Sequence, residues 1–182
     1  NKRSTDSLEA EEGFGKLKQE IGEVVLAKDR VAWGTYYRGG MVYNFWQDDT
    51  NKRGLWRRIS LAEYKNSNPN WEVVLDLDEL SKNESENWVW KGSVTGPFGS
   101  DRTLVMLSRG GKDAVVVREF DLKTKTFVSD GFRLPEAKLN VDWVDTDTLF
   151  VATDFGADSH TESGYPRILK VWKRGTKLES AQ

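Results

Sequence analysis

Residues 41–77 read MVYNFWQDDTNKRGLWRRISLAEYKNSNPNWEVVLDL, and this stretch decides the fold class. It contains three short runs rich in β-branched and aromatic residues, MVYNFWQ, LWRRISL and WEVVLDL, which are typical of strands. Between them lie DDTNKRG and KNSNPN, whose Gly, Pro, Asn and Asp content is typical of turns. With WGTYY at 33–37 before them, they predict one unit of four antiparallel strands at residues 31–78.

The same alternation of strand and turn continues along the chain. A second unit at about 86–130 contains WVWKGSVT, TLVMLSR, AVVVREF and TFVS, and a third at about 138–182 contains VDWV, TLFVAT and ILKVWK. The units begin about 50 residues apart, which is the period of β-propeller blades. We therefore expect a mainly β fold: a partial β-propeller of about three four-stranded antiparallel blades, the last without its outer strand.

Three blades do not close a ring, because closed propellers have about four to eight. The sequence therefore predicts that the chain is a fragment of a longer protein or that it pairs with other chains. Strand edges that are left open at the ends of such an array favour self-association.

The first 30 residues predict an N-terminal helical segment, 1–30, instead of strands. Apolar side chains recur there on one helical face, at Ala10, Phe14, Leu17 and Ile21. This spacing predicts one short helix over 6–21, with Asp6 as its N-cap. Gly13 weakens such a helix by about 1 kcal/mol relative to alanine. A short amphipathic helix is stabilised mainly by packing, so we expect it to dock against an apolar surface.

The composition excludes several classes of function. A formal net charge of −2 lacks the positive charge expected of a nucleic-acid-binding protein, and no apolar run approaches the roughly 18 residues that cross a membrane. Without cysteine, the chain has no disulfide and no thiolate ligand. We expect a soluble protein with no cofactor. Its eight tryptophans, spread along the chain, predict large rings packed between layers.

The loop DFGADSHTESGYP, at 154–166, contains the only histidine of the chain, His160, directly after Asp158 and Ser159. Serine hydrolases use these residue types, but they assemble them from separate parts of the fold so that each side chain bonds the next. The G-x-S-x-G turn that presents a nucleophilic serine is absent from the sequence. The twelve-residue calcium loop is absent too. We therefore expect neither a catalytic residue nor a metal site in this chain.

Several long stretches carry a family likeness: YNFWQDDTNKRGLWRRISLAEY (43–64), WEVVLDLDEL (71–80), LSRGGKDAVVVREFDL (107–122) and FRLPEAK (132–138). They resemble bacterial members of the prolyl oligopeptidase family, and the likeness extends from about residue 8 to 176. The resemblance implies a seven-bladed propeller that covers an α/β-hydrolase domain. It also implies a Ser, Asp, His triad on that domain, which cleaves short peptides, typically after proline.

The resemblance implies that this chain holds only the N-terminal segment and the first blades of a serine-type endopeptidase. The fragment alone would be inactive, because the hydrolase domain carries the chemistry. Its partners would be the α/β-hydrolase domain of the longer chain, on which the N-terminal helix would pack, and a short peptide substrate. The compartment stays open between the bacterial cytoplasm and the periplasm.

The family's propeller forms a chamber that restricts access to the catalytic site. The loop at 154–166 is longer than a turn requires, and long loops often carry function. Phe155, His160 and Tyr165 are therefore candidates for chamber residues that contact substrate or the hydrolase domain. Two alternatives stay open. One is a stand-alone propeller-type binding or interaction module without catalysis. The other is a glycan-binding domain, which would expose several tryptophans on one face.

Overall fold

The computed structural model describes residues 2–25, 27, 33–97 and 99–182, and they form a mainly β fold. The strands are β1 Tyr36–Arg38, β2 Met41–Trp46, β3 Leu55–Ser60, β4 Glu72–Asp76, β5 Trp88–Thr95, β6 Arg102–Arg109, β7 Val115–Asp121, β8 Thr126–Phe127, β9 Arg133–Ala137, β10 Asn140–Asp145, β11 Thr148–Ala152 and β12 Lys170–Lys173. The helices are α1 Lys2–Glu9, α2 Phe14–Val25, α3 Leu61–Tyr64 and α4 Leu77–Glu84, with a 3-10 turn at Leu178–Ser180.

The first sheet has the order β1-β2-β3-β4, and every neighbouring pair is antiparallel. Gly39 and Gly40 form the tight turn between β1 and β2. Both have positive φ, +55° and +80°, which glycine adopts without steric cost and which a two-residue hairpin turn favours. The four strands lie within the predicted unit 31–78, whose first two residues lie outside the described part of the chain.

The second sheet runs β5-β6-β7-β8, and β9 also pairs with β7. Residues 133–137, which lie between the second and third units predicted from the sequence, therefore continue the outer edge of this sheet. Backbone bonds at Glu119 carry the pairing across the irregular stretch between β8 and β9. Its N–H donates to Phe132 O at 2.8 Å, and its carbonyl accepts from Val128 N at 3.0 Å.

The third sheet has three strands in the order β10-β11-β12. Beyond β12, a single residue takes up the position of an outer strand. Val171 N donates to Gln182 O at 2.6 Å, and Gln182 N donates to Val171 O at 3.0 Å. The assignment of the three sheets to blades of a seven-membered ring stays a prediction.

Two apolar clusters join the three sheets, one on each face of the second sheet. The cluster between the first and second sheets contains Tyr43, Trp56, Val74, Leu77, Trp88, Val105, Leu107, Val116, Phe120 and Leu122. The cluster between the second and third sheets contains Leu104, Val115, Val117, Phe132, Leu134, Leu149, Val151, Trp172 and Ala181. Because side chains alternate along a strand, β6 and β7 supply residues to both clusters.

The tryptophans differ in exposure. Trp56, Trp88 and Trp172 are buried, whereas Trp33 has 74% of its surface exposed. The other four are half-buried. All eight lie in the described part of the chain, and the set has no exposed tryptophan face of the kind that a glycan-binding domain requires.

A helix, α4, connects the first and second sheets and was not predicted from the sequence. Asp76 caps it, because its Oδ1 accepts from Asp78 N at 2.9 Å and from Glu79 N at 3.0 Å. Leu77 is completely buried and anchors the start of the helix in the cluster between the first two sheets.

The N-terminal segment contains two helices, so the predicted single helix over 6–21 is wrong. The chain turns between α1 and α2 at Gly13, whose φ of +88° does not fit a right-handed helix. Asp6 lies inside α1, where it pairs with Lys2 at 2.8 Å, and it is not the N-cap. Neither helix has a buried residue. No helix within the described residues is long and apolar enough to cross a lipid bilayer.

Candidate functional site

The long connection between β11 and β12 lies beside the connection between β6 and β7. The hydroxyl of Tyr165 in the first connection is 3.5 Å from Asp113 Oδ2 in the second. The residues that join the second sheet to the third also lie here, because Lys138 Nζ donates to Ser163 O at 2.8 Å. Three segments from two sheets therefore meet at this end of the seam between the second and third sheets.

Within the long connection, residues 159–167 form a small antiparallel hairpin, which we call the loop hairpin. Its pairs are His160 with Pro166 and Thr161 N with Tyr165 O at 2.8 Å. Gly164 closes the turn with a φ of +83°, and its N–H donates to Thr161 O at 2.8 Å. The loop predicted at 154–166 therefore contains a hydrogen-bonded hairpin.

Ser159 fixes the base of the loop hairpin. Its side chain is buried, and its hydroxyl accepts from Phe155 N at 2.8 Å and donates to Gly156 O at 2.6 Å. Asp154 reinforces this turn, because its Oδ1 accepts from Gly156 N at 2.8 Å. A hydroxyl that is buried and bonded to the backbone on both sides closes a loop, and it is not presented to a substrate.

His160 and Asp158 do not form a relay with Ser159. The Nδ1 of His160 lies 3.1 Å from Thr161 O, and its Nε2 lies 3.6 Å from the carboxylate of Asp154. Asp158 is exposed and has a left-handed backbone with φ of +64°. Ser159 Oγ also lies 3.4 Å from Asp154 Oδ1, so the serine and the histidine approach the same carboxylate from two sides. A triad needs a histidine that bonds the serine, and the His160 ring instead contacts Thr161 O and Asp154.

The three chamber candidates, Phe155, His160 and Tyr165, differ in how deeply they are buried. Phe155 is half-buried against the cluster between the second and third sheets, and Lys170 Nζ lies 4.5 Å from its ring. His160 is partly exposed, and Tyr165 has 51% of its surface exposed. The structure therefore places Tyr165 at the surface of the seam and Phe155 beneath the loop.

Sequence reasoning missed Asp113 and Lys138. Lys138 Nζ lies 2.8 Å from Ser163 O, 3.6 Å from Asp113 Oδ2 and 4.1 Å from the centre of the Tyr165 ring. We call these four residues the Lys138 cluster. No sequence pattern links positions that are this far apart, so only the folded arrangement identifies them.

No metal centre accompanies this arrangement, because the described residues contain no cluster of three or more His, Asp or Glu side chains that could hold an ion. A cavity of about 330 Å³ lies elsewhere, between β4, α4 and β8, with Leu80, Phe120 and Phe127 among its lining residues. It lies between the first and second sheets and does not include the loop hairpin.

Comparison with known proteins identifies the family. The model of the prolyl oligopeptidase N-terminal β-propeller domain matches residues 2–182. An uncharacterized peptidase of Sinorhizobium fredii is 42% identical over 181 residues, which cover 100% of this chain and 25% of the relative. An uncharacterized peptidase of Rickettsia prowazekii is 36% identical over 188 residues, which cover 99% of this chain and 26% of the relative.

A solved structure supports the same family. The post-proline cleaving enzyme from Rickettsia typhi superposes with a TM-score of 0.87 at 35% identity, over 100% of this chain and 27% of that enzyme. The chain spans about a quarter of the length of the relatives that it matches. The sheets, the strand order and these matches agree, and the chain belongs to the prolyl oligopeptidase N-terminal β-propeller domain family.

Proposed function

We propose that this chain is the access-controlling propeller region of a longer serine-type endopeptidase that hydrolyses short peptides, typically after proline. The observation that carries the proposal is the similarity of the whole of this chain to part of a post-proline cleaving enzyme, at a TM-score of 0.87 and 35% identity. The peptidase names of the curated relatives, of which this chain spans about a quarter, also support a role within a larger peptidase.

The catalytic serine, histidine and acid of that enzyme would lie on an α/β-hydrolase domain, and residues 1–182 alone would be inactive. The loop at 154–166 supports this division of roles. Its serine, Ser159, is used to hold backbone groups, and its histidine, His160, has no hydrogen bond to that serine. The chain would therefore contribute walls and contacts, and the hydrolase domain would contribute the nucleophile.

The loop hairpin would form part of the chamber wall, with His160 and Tyr165 facing the peptide and Phe155 supporting them from below. Their positions support this role in different degrees. Tyr165 is half-exposed and could touch a passing peptide, whereas Phe155 packs on the cluster between the second and third sheets. An aromatic ring at such a position offers a large, rigid contact surface to a peptide.

Helix α2 would pack on the hydrolase domain. Its apolar residues Leu17, Ile21, Val24 and Val25 each have more than half of their surface exposed. A contiguous apolar helix face in water is typical of an interface. Open strand edges of the first and third sheets would be a second route to association, with another copy of the chain.

A comparison of the full-length protein with residues 1–182 tests the proposal. Each is incubated with a peptide whose proline is followed by a chromogenic leaving group, and with the matched peptide that has alanine in place of that proline. A fluorophosphonate probe labels active serines in both proteins. We expect cleavage after proline and labelling only in the full-length protein. Turnover by residues 1–182 alone would contradict the site assignment. A full-length protein that binds peptides without cleaving or labelling would instead identify a stand-alone binding module.

A further inference from the structure

The loop hairpin is held at two places of different character. At its base, the buried hydroxyl of Ser159 bonds backbone groups within the loop itself. At its tip, the backbone carbonyl of Ser163 and the ring of Tyr165 are held by a side chain from outside the loop, that of Lys138. The base is therefore fixed by local bonds, whereas the tip is held mainly by a side chain from outside the loop.

Lys138 is well placed for this role because its own backbone position is fixed. It follows Ala137, which pairs with Val115 in the second sheet, and it precedes Asn140, which pairs with Ala152 in the third. Its side chain is 25% exposed, so most of its stem is covered. From this anchored position the ammonium reaches across the seam to the hairpin tip.

Three partners of different chemistry surround the ammonium group. The Ser163 carbonyl accepts a hydrogen bond, the Asp113 carboxylate supplies the opposite charge, and the Tyr165 ring supplies a cation–π contact. The Tyr165 hydroxyl also approaches Asp113, at 3.5 Å. Removal of the ammonium group would therefore release the carbonyl, the ring and the carboxylate at once.

We propose that Lys138 is a positioning residue: its contacts across the seam, which we call the latch, hold the tip of the loop hairpin. The latch thereby fixes the position of Tyr165 in the wall of the chamber. The consequence for peptides rests on the proposed function, whereas the latch itself does not. A freed tip must be ordered again whenever a peptide contacts it, which weakens binding. The latch would therefore control how well peptides long enough to reach the hairpin are bound.

Hydrogen exchange on the full-length protein tests the latch without any assay of activity. Thr161 N and Gly164 N are bonded inside the hairpin, so their exchange reports on its opening. We expect both amides to exchange about tenfold faster in Lys138→Met, with an intermediate rate in Lys138→Arg. The matched control is Lys112→Met, which removes a lysine that pairs with Glu136 at 3.4 Å, close to the same seam. It should leave both rates unchanged.

Asp113→Asn is the second variant, in case Lys138→Met lowers the overall stability, and it should accelerate the same two amides to a smaller extent. Unchanged exchange in both variants would overturn the latch, whether or not the protein cleaves proline peptides. For peptide binding, we expect KM of Lys138→Met to rise about threefold for an eight-residue peptide, with kcat and the KM of a dipeptide substrate unchanged. Equal KM values in Lys138→Met and the unaltered protein would overturn the role in peptide binding.

Discussion

Arg174 binds Glu119 through two parallel hydrogen bonds, from Nη1 to Oε2 at 2.8 Å and from Nη2 to Oε1 at 3.1 Å. Glu119 belongs to β7 of the second sheet, its carboxylate is fully buried, and it also accepts from Phe132 N at 2.8 Å. Arg174 follows β12 of the third sheet, and its hydrogen bond to Glu119 is the main reason that the pKa of its guanidinium is raised. The pair is thus an ionic contact between the second and third sheets, beside the apolar cluster that they share.

Arg174→Met should lower the free energy of unfolding by about 2 kcal/mol, because it removes two charge-assisted hydrogen bonds from a buried carboxylate and leaves it only the more distant Arg102, 3.9 Å away. Urea denaturation at neutral pH measures the change. The control is Lys173→Met, which removes the neighbouring exposed lysine and should change stability by less than about 0.5 kcal/mol. Equal stability of Arg174→Met and the unaltered protein would contradict the role of the pair.

Trp56→Ala should cost about 3–5 kcal/mol, since it removes the most deeply buried tryptophan ring of the cluster between the first two sheets. Its ring centre lies 5.0 Å from that of Trp90 and 5.9 Å from that of Phe120. Trp33→Ala deletes the same side chain at a position that is 74% exposed, and it should be nearly neutral. Thermal unfolding measures the stability of both variants. A similar loss of stability in Trp56→Ala and Trp33→Ala would contradict the assignment of Trp56 to the core.

Glu72 makes part of the stability depend on pH. Its hydrogen bonds to Arg58 and then to Lys125 lower its pKa from 4.5 to about 2. The folded protein therefore keeps the carboxylate ionised at pH values where the unfolded chain protonates it, so the contribution is complete above about pH 4.5 and is lost as the pH falls towards 2. Because the Glu72 side chain is 40% exposed, we expect only about 1 kcal/mol.

Glu72→Gln tests this pH dependence. The variant should be less stable than the unaltered protein at pH 6, and the difference should shrink below about pH 4.5 and disappear only below about pH 2, as followed by urea midpoints across this range. Glu162→Gln, a change at an exposed position of the loop hairpin, is the control and should show no such convergence. A stability difference that stays constant with pH would show that the pair with Arg58 does not depend on ionisation.

Ser159→Ala should affect the loop and spare the chemistry. It leaves the half-buried N–H of Phe155 without its acceptor, which should cost about 1 kcal/mol of stability. In the full-length protein, kcat should stay within about threefold, whereas loss of a nucleophilic serine costs about a millionfold. Ser67→Ala, at an exposed turn, is the control for stability. A kcat reduced by several orders of magnitude would return Ser159 to the catalytic machinery.

The sheets could be predicted from the sequence because their signal is local. Runs such as MVYNFWQ and AVVVREF have strand composition over six or seven residues, and glycine-rich turns separate them. The helix α4 was missed because its first residues continue the apolar run of β4, and the Asp76 cap resembles a turn residue in sequence. The N-terminal helix was predicted as one because its apolar spacing continues across Gly13, whose positive φ breaks it.

The candidate site was less predictable than the fold. The residue types of the loop at 154–166 allowed a prediction that Asp158, Ser159 and His160 do not act as a triad. They did not show that the loop folds back as a hairpin. Lys138 gave no signal, because its partners Asp113 and Tyr165 are brought to it only when the second and third sheets pack. Contacts of this kind depend on tertiary structure, and a single sequence does not encode them as a pattern.

The strand order has a consequence for how the molecule comes into being. Among the described strands, hydrogen-bonded partners are neighbours or next neighbours along the chain, and the strands of each sheet come from one continuous segment. Contacts between nearby residues form quickly, and domains fold from the N terminus during synthesis. Each sheet can therefore assemble soon after its segment leaves the ribosome and offer an apolar face on which the next one condenses. Assembly then proceeds in the same direction as translation.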